Sequence, residues 1–294
     1  MVSKVITIFD NTVKKNFAWR NSYNGLVKGV VLDWSGTTCD KYVIAPAKAF
    51  VEIFDKYGIT ITMNEARIPM GLRKDLHIKA LLELPNIQNK WKNKYGKKST
   101  QEDVDKIFKE FVPLQLSCLR NYAELIPGTV DTAKWLRSNN IKIGTSTGFT
   151  KDMVKIILEE TVKQGYVPDA VVAGDEVING SRPKPFMVYK NCDILDIHPI
   201  QSVVKVDDTT SGIGEGLEAG CWTVGVAMYS NYMDINSYEE EKMLKQTGEY
   251  NDRLNNSREI LIKRGAHYVV DSIRDLPQVI EHINIRLKNG EYPI

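Results

Sequence analysis

The sequence predicts an α/β protein: a Rossmann-like doubly wound parallel sheet core with an inserted all-helical cap domain. Three observations carry that expectation. Short apolar or β-branched runs alternate with amphipathic helical patterns along most of the chain. The alternation fails between about Pro46 and Ala123, where only helical periodicity is found. The first run, Val30-Val31-Leu32, ends in Asp33, a carboxylate at the carboxyl end of a buried strand, where open sheets of this class hold their ligands.

The expected strands are residues 27–32, 141–145, 170–173, 203–206, 222–226 and 267–270. Helical patterns lie between or after them, as over 153–162 and 276–285, with Thr150 as an N-cap and Gly165 as a stop for the first. Inside the insert, Ala49, Phe50, Ile53, Phe54 and Tyr57 recur at helical spacing, and Thr62 with Glu65 forms a capping-box pattern. Thr100 opens a further helix with Val104, Ile107, Phe108 and Phe111 on one face. The expected division is an N-terminal extension over 1–25, a core over 26–44 and 124–294, and a helical cap over 45–123. Such a cap can exclude water from the sheet's ligand edge.

The 294 residues are 26% charged and 43% hydrophobic, ordinary for a globular chain. A net charge of +2 gives no argument for nucleic acid, and the lysines between residues 90 and 98 read as a solvated helix end. Cys39, Cys118, Cys192 and Cys221 form no CxxC pair, so neither a zinc site nor a disulfide framework is expected. Reduced thiols suit a cytoplasmic location. No membrane partner is expected, because no apolar run reaches spanning length, and Asp10 breaks the short N-terminal run too early for a secretory segment.

Four motifs fall in order at strand ends. Asp33 is the candidate nucleophile, able to form an aspartyl phosphate. Gly144-Thr145-Ser146-Thr147-Gly148 offers hydroxyls and amides to a phosphoryl oxygen. Ser181-Arg182-Pro183-Lys184 offers cations for developing phosphoryl charge. Val206-Asp207-Asp208-Thr209 supplies hard oxygen ligands for magnesium. Taken singly, each has an ordinary explanation as a cap, loop or strand end. Their order, each after a strand or before a helix, reverses that judgement. Ser35 stands where most aspartate-nucleophile phosphatases carry a second Asp as general acid, and a serine protonates an alkoxide poorly. Gly212, Gly214 and Gly216 have the wrong spacing for a dinucleotide loop, which sets NAD aside.

In the insert, Met70, Lys74 and His77 share a side of a helix or of the turn entering it. A desolvated lysine loses its proton readily, and a neutral amine condenses with aldehydes. Spacing alone favours a plainer arrangement, a solvent-facing lysine beside a partly buried histidine.

Together these motifs resemble the haloacid dehalogenase superfamily. Within it the chain closely resembles the phosphonoacetaldehyde hydrolase family. The matching stretches include Leu32-Asp33-Trp34-Ser35-Gly36-Thr37-Thr38, Glu65-Ala66-Arg67, Pro69-Met70-Gly71-Leu72 with Lys74 and His77, and Trp222-Thr223-Val224-Gly225-Val226. The likeness runs from about Lys28 to about Ile283.

The resemblance implies hydrolysis of the carbon–phosphorus bond of phosphonoacetaldehyde to acetaldehyde and phosphate. It implies Asp33 as nucleophile, Lys74 as the imine-forming lysine, and His77 and Met70 on the cap side of the pocket. Thr147, Gly148 and Arg182 would bind phosphate, and magnesium would lie on Asp33, the backbone carbonyl of Ser35, and Asp208. A homodimer through the cap is implied, to which Trp91 and Tyr95 could contribute if they are not core. An enamine leaving group needs no general acid, which accounts for Ser35. The chain departs from the family at Ser35, often alanine, at Phe149, often an aromatic hydroxyl, and at Gly212, where many superfamily members carry an acid that Asp207 could replace. A related phosphohydrolase with another phosphorylated or phosphonated substrate is the alternative, and a non-catalytic binding module is a third.

Overall fold

The computed structural model describes residues 23–293. Most of the expected N-terminal extension therefore lies outside the described residues. Six parallel strands form one sheet in the order β3-β2-β1-β4-β5-β6. They are β1 (Gly29–Leu32), β2 (Lys142–Ser146), β3 (Ala170–Val172), β4 (Val203–Asp207), β5 (Trp222–Val226) and β6 (Tyr268–Val270). All six expected strands are present, with ends shifted by at most two residues. β1, β4 and β5 are buried along their whole length, as central parallel strands require.

The chain runs outward from β1 to β3, then returns to place β4 on the other side of β1. That reversal opens a crevice at the carboxyl ends of β1 and β4. Leu32 pairs in register with Thr145 on one side and Val206 on the other. Asp33, Thr147 and Asp207-Asp208 therefore leave the sheet at one edge.

Between β1 and β2 the chain is helical: α1 (Ile44–Lys56), α2 (Met63–Arg67), α3 (Lys74–Glu83), α4 (Pro85–Tyr95) and α5 (Gln101–Leu119). Thr62 and Glu65 make the expected capping box on α2, and Thr100 makes another with Asp103 on α5. Val104, Ile107 and Phe111 are buried on the inner face of α5. Phe50 of α1 stacks on Phe111 at 4.5 Å and on His77 at 3.8 Å between ring centroids. Trp91 is buried within this helical layer, which assigns it to core, while Tyr95 is 41% exposed.

The remaining helices, α6 (Thr129–Ser138), α7 (Lys151–Lys163), α8 (Phe186–Ile194), α9 (Thr210–Ala219), α10 (Tyr238–Thr247), α11 (Glu249–Lys263) and α12 (Leu276–Lys288), complete the α/β layers. Gly165, at φ 91°, ends α7 as expected. Thr150 occupies the N-cap of α7, but its hydroxyl makes no capping bond. The carboxylate of Asp175, at the end of the next loop, accepts from the Lys151 amide instead, at 2.9 Å. Among the described residues no helix is long and apolar enough to cross a membrane.

Candidate active site

The helical segment is fixed to the core by a buried guanidinium. Arg67, at the end of α2, donates to the Tyr42 carbonyl at 2.6 Å and the Ile235 carbonyl at 2.8 Å, and to the Oδ1 atoms of Asn231 and Asn236 at 3.2 Å. Asn231 answers by donating Nδ2–H to the Arg67 carbonyl, and its backbone amide donates to Asp208 Oδ2 at 2.8 Å. One asparagine thus touches both the helical segment and a carboxylate of the crevice.

Beyond Arg67 the turn over residues 69–73 lies directly on the core. Ser211 donates to the Met70 carbonyl at 3.2 Å. A Cβ at Gly148 would come 2.3 Å from the Leu72 carbonyl oxygen, which is why this contact demands glycine on the core side. Gly71 meets the same demand from the side of the helical segment, at φ 90° with Ser211 Oγ 2.1 Å from its hypothetical Cβ.

The turn closes a small cavity lined by Asp33, Ser35, Met70, Lys74, Thr147, Gly148 and Arg182, with Val43, Pro46, Gly71, Phe149 and Thr209 completing the wall. Every candidate site residue except His77 and Asp208 lines it. Asp208 lies behind Asp33, and His77 lies behind Lys74.

Lys74 is the first residue of α3 and only 3% exposed, so the solvent-facing arrangement that spacing favoured is not what forms. Its Nζ makes no hydrogen bond or ion pair among the described residues. It stands 4.4 Å from the centroid of the Phe149 ring and 5.6 Å from that of Phe50. Burial, with help from the Arg182 charge and against Asp33 and Asp40, lowers its pKa to about 8. A position at a helix N-terminus disfavours a cation further.

His77 is fully buried, and burial followed by the Lys74 charge holds its pKa well below the usual value. It is neutral. Its Nε2 faces the Ala66 carbonyl at 2.9 Å, so Nε2 carries the hydrogen and Nδ1 the lone pair. That Nδ1 is buried without a partner.

Asp33, Asp207 and Asp208 bring carboxylate oxygens within 4.8 Å of one another. Asp207 is occupied: Oδ1 accepts from the Thr209 amide and hydroxyl at 3.0 and 2.7 Å, and Oδ2 accepts from Lys205 at 2.7 Å. Although burial opposes it, Arg182 and Lys205 together hold Asp207 below the usual carboxylate range. Asp208 is the reverse case. Burial, then Asp207 and Asp33, push it well up, and its buried Oδ1 has no partner. An orphaned carboxylate oxygen beside a second carboxylate is what a cation would satisfy. The buried cluster of Asp33, Asp207, Asp208 and Glu215 faces two cations, Arg182 and Lys205. A divalent ion would neutralise the formal charge of −2 that remains.

Arg182 is 2% exposed. Its Nη2 donates to Asp33 Oδ1 at 2.7 Å and to the Ser146 carbonyl, and its Nε donates to Glu215 Oε2 at 3.1 Å. Nη1 has no partner among the described residues. Asp33 Oδ2 is likewise unpaired among them, so one oxygen of the nucleophile candidate is held and the other is left to react. Lys205 and Glu215 are the residues whose place here sequence reasoning missed, while Phe149, named there only as a departure, proves to face Lys74. A lysine in an otherwise apolar strand and a glutamate in a glycine-rich helix were the signals available for the first two.

The haloacid dehalogenase-like hydrolase family model matches residues 27–220. The chain is 41% identical to a phosphonoacetaldehyde hydrolase of Syntrophobacter fumaroxidans, covering 94% of this chain and 99% of that one. It is 42% identical to one of Bacillus cytotoxicus, covering 87% and 96%. A crystal structure of a phosphonoacetaldehyde hydrolase-like protein from Oleispira antarctica superimposes with a TM-score of 0.88 at 37% identity, over 92% of this chain and 97% of that one. A β-phosphoglucomutase from Clostridium difficile, at 20% identity and a TM-score of 0.63, shares the fold. The chain therefore belongs to the haloacid dehalogenase-like hydrolases and, among them, to the phosphonoacetaldehyde hydrolase family.

Proposed function

We propose that this hydrolase cleaves the carbon–phosphorus bond of phosphonoacetaldehyde through an imine on Lys74 and an aspartyl phosphate on Asp33. One observation carries the reading: a buried, unpaired lysine amine shares a small cavity with a strand-end carboxylate and an arginine.

The neutral amine of Lys74 adds to the aldehyde carbonyl to give a carbinolamine, which takes up one proton from solvent and loses water to give a protonated imine. Asp33 Oδ2 then attacks phosphorus. The electrons of the breaking C–P bond pass into the imine, so the departing fragment is an enamine. Protonation of that enamine on carbon and hydrolysis of the imine release acetaldehyde and free Lys74. Water finally cleaves the aspartyl phosphate. No alkoxide departs, so Ser35 in place of a general acid costs nothing.

Arg182 and Thr147 hold phosphoryl oxygens, with Gly148 allowing the cap turn to approach and Met70 filling the aldehyde side. The lone pair on His77 Nδ1 suits a proton acceptor during imine formation. Magnesium would be held by Asp33, the Ser35 carbonyl and Asp208, and when bound it neutralises phosphoryl charge so that a carboxylate can approach. The helical segment over residues 45–123 serves as the cap. We also propose the homodimer that the family resemblance implies, with Ile68, 63% exposed, and Tyr95 as the apolar groups that the helical segment presents. Light scattering in solution tests the dimer.

The test of the reaction is borohydride trapping. Protein, magnesium and phosphonoacetaldehyde are mixed, reduced and digested, and the adduct is located by mass spectrometry. A reduced adduct on Lys74 with release of acetaldehyde and phosphate is expected. Lys74→Arg should abolish both. Carbon–phosphorus cleavage persisting in that variant overturns the imine mechanism.

A further inference from the structure

Two of the glycines of α9 have an evident steric purpose. Gly212 and Gly216 are four residues apart, on one face of the helix. A Cβ at Gly212 would lie 1.9 Å from Asp207 Cγ, and one at Gly216 would lie 2.7 Å from Lys205 Cβ. Lys205 and Asp207 are two residues apart on β4, hence on one face of the sheet. The glycines leave a groove between helix and strand, and in it lie a lysine and an aspartate with no exposure at all.

An ammonium on a central strand is costly to bury, and an apolar side chain would fill the groove without that cost. The groove is therefore shaped around the charge. Lys205 Nζ lies 2.7 Å from Asp207 Oδ2 and 3.7 Å from Glu215 Oε2. The same two oxygens hold Arg182, through Nη2 at 3.1 Å and Nε at 3.1 Å. Lys205 and Arg182 thus share both carboxylates. Ser146 adds a hydroxyl donor to Glu215 Oε2 at 2.8 Å.

We propose that Lys205 is a positioning residue for Arg182, seated by the glycines of α9. By sharing Asp207 and Glu215 it keeps two anions from drawing the guanidinium down into the groove. Arg182 then stays on Asp33 with Nη1 available to a phosphoryl oxygen. Without the ammonium, two carboxylates would compete with Asp33 for one guanidinium, and an incoming phosphoryl group would meet one more uncompensated negative charge. The proposal rests on the phosphate-binding role given to Arg182 above.

The test is calorimetric titration of inorganic phosphate into the magnesium-loaded protein, with melting temperature recorded for each variant. Lys205→Met keeps the stem and removes the charge. Phosphate binding should weaken at least about tenfold, the scale of one charge-assisted hydrogen bond. Lys205→Met combined with Glu215→Gln removes one charge of each sign and keeps an acceptor for Arg182 Nε. Binding should return to within roughly threefold of the parent. A purely structural lysine predicts the opposite, since two buried lesions should be no better than one. Unchanged binding in the single variant, or no recovery in the double, overturns the proposal. Should Lys205→Met fail to fold, Gly216→Ala presses on the same side chain, and on Thr223 beside it, with the charge of Lys205 intact. It should weaken phosphate binding comparably, and unaltered binding there overturns the proposal too. Phosphate is the probe throughout, so the outcome stays readable even if phosphonoacetaldehyde is not the substrate.

Discussion

The ammonium of Lys74 rests 4.4 Å from the centroid of the Phe149 ring, in a cavity it shares with Asp33. Phe149, which the family resemblance leads one to expect as an aromatic hydroxyl, has a use in its position here. It cannot donate a hydrogen bond, but it helps keep water from the amine.

That contact predicts a pH dependence. Burial lowers the Lys74 pKa to about 8, so the neutral amine forms as pH rises through that value. The rate of borohydride-trappable imine formation should climb with an inflection near 8 and level off above it. Phe149→Ala admits water. Solvation of the ammonium then outweighs the lost ring contact of about 1–2 kcal/mol, and the inflection should move up toward the ordinary lysine range. An inflection unmoved in Phe149→Ala would show that the ring does not control the amine.

Metal dependence follows from the unpaired oxygen of Asp208. Chelation should abolish phosphate release, and added magnesium should restore it. Asp208→Asn should weaken magnesium binding by on the order of tenfold or more, measured by titration calorimetry. Asn231 holds the other oxygen of Asp208 through its backbone amide, so a change of that side chain should affect the metal far less.

Gly148→Ala tests the fit of cap to core. Its methyl would sit 2.3 Å from a backbone oxygen, which has no flexible end to swing aside. The turn carrying Met70 must lift, and kcat/KM should fall by on the order of a hundredfold, the penalty for misplacing reacting groups by about an ångström. Limited proteolysis should cut the variant faster within the helical segment. Parental kinetics would mean that the turn need not seat this closely.

Arg67→Met should destabilise the fold by about 3 kcal/mol or more, because it leaves several buried acceptors unpaired at once. Urea unfolding followed by circular dichroism measures the loss. Melting should begin with the helical segment, since the guanidinium is what ties α2 to the loop around Asn231.

The sheet was readable because its strands are short apolar runs closed by polar turns, and the five helices of the insert because their apolar spacing never drops to a period of two. Asp33 and Asp208 could be picked out by their place at strand ends, and Arg182 by its place just before a helix. Lys74 could not be assigned from spacing, since its burial depends on Phe50 and Phe149, both distant in sequence. The capping of α7 is not legible locally, because the acceptor comes from Asp175 and not from the adjacent Thr150. Lys205 and Glu215 were overlooked for a related reason: their value lies in what they do to Arg182 across the sheet, and no local pattern records that.

The parallel pairing of β1 with β4 joins residues some 170 positions apart, as in Leu32 with Val206. Pairings of such long range form late, because chain entropy must be surrendered before they give anything back. An unfinished or nascent chain therefore carries Lys74 in water, with an ordinary pKa of about 10.4. At pH 7.4 only about one such amine in a thousand is free, whereas with a pKa of about 8 roughly a fifth are. Reactivity toward aldehydes is thus switched on by the completed fold. In an unfinished chain this lysine is no more reactive toward aldehydes than any other exposed lysine.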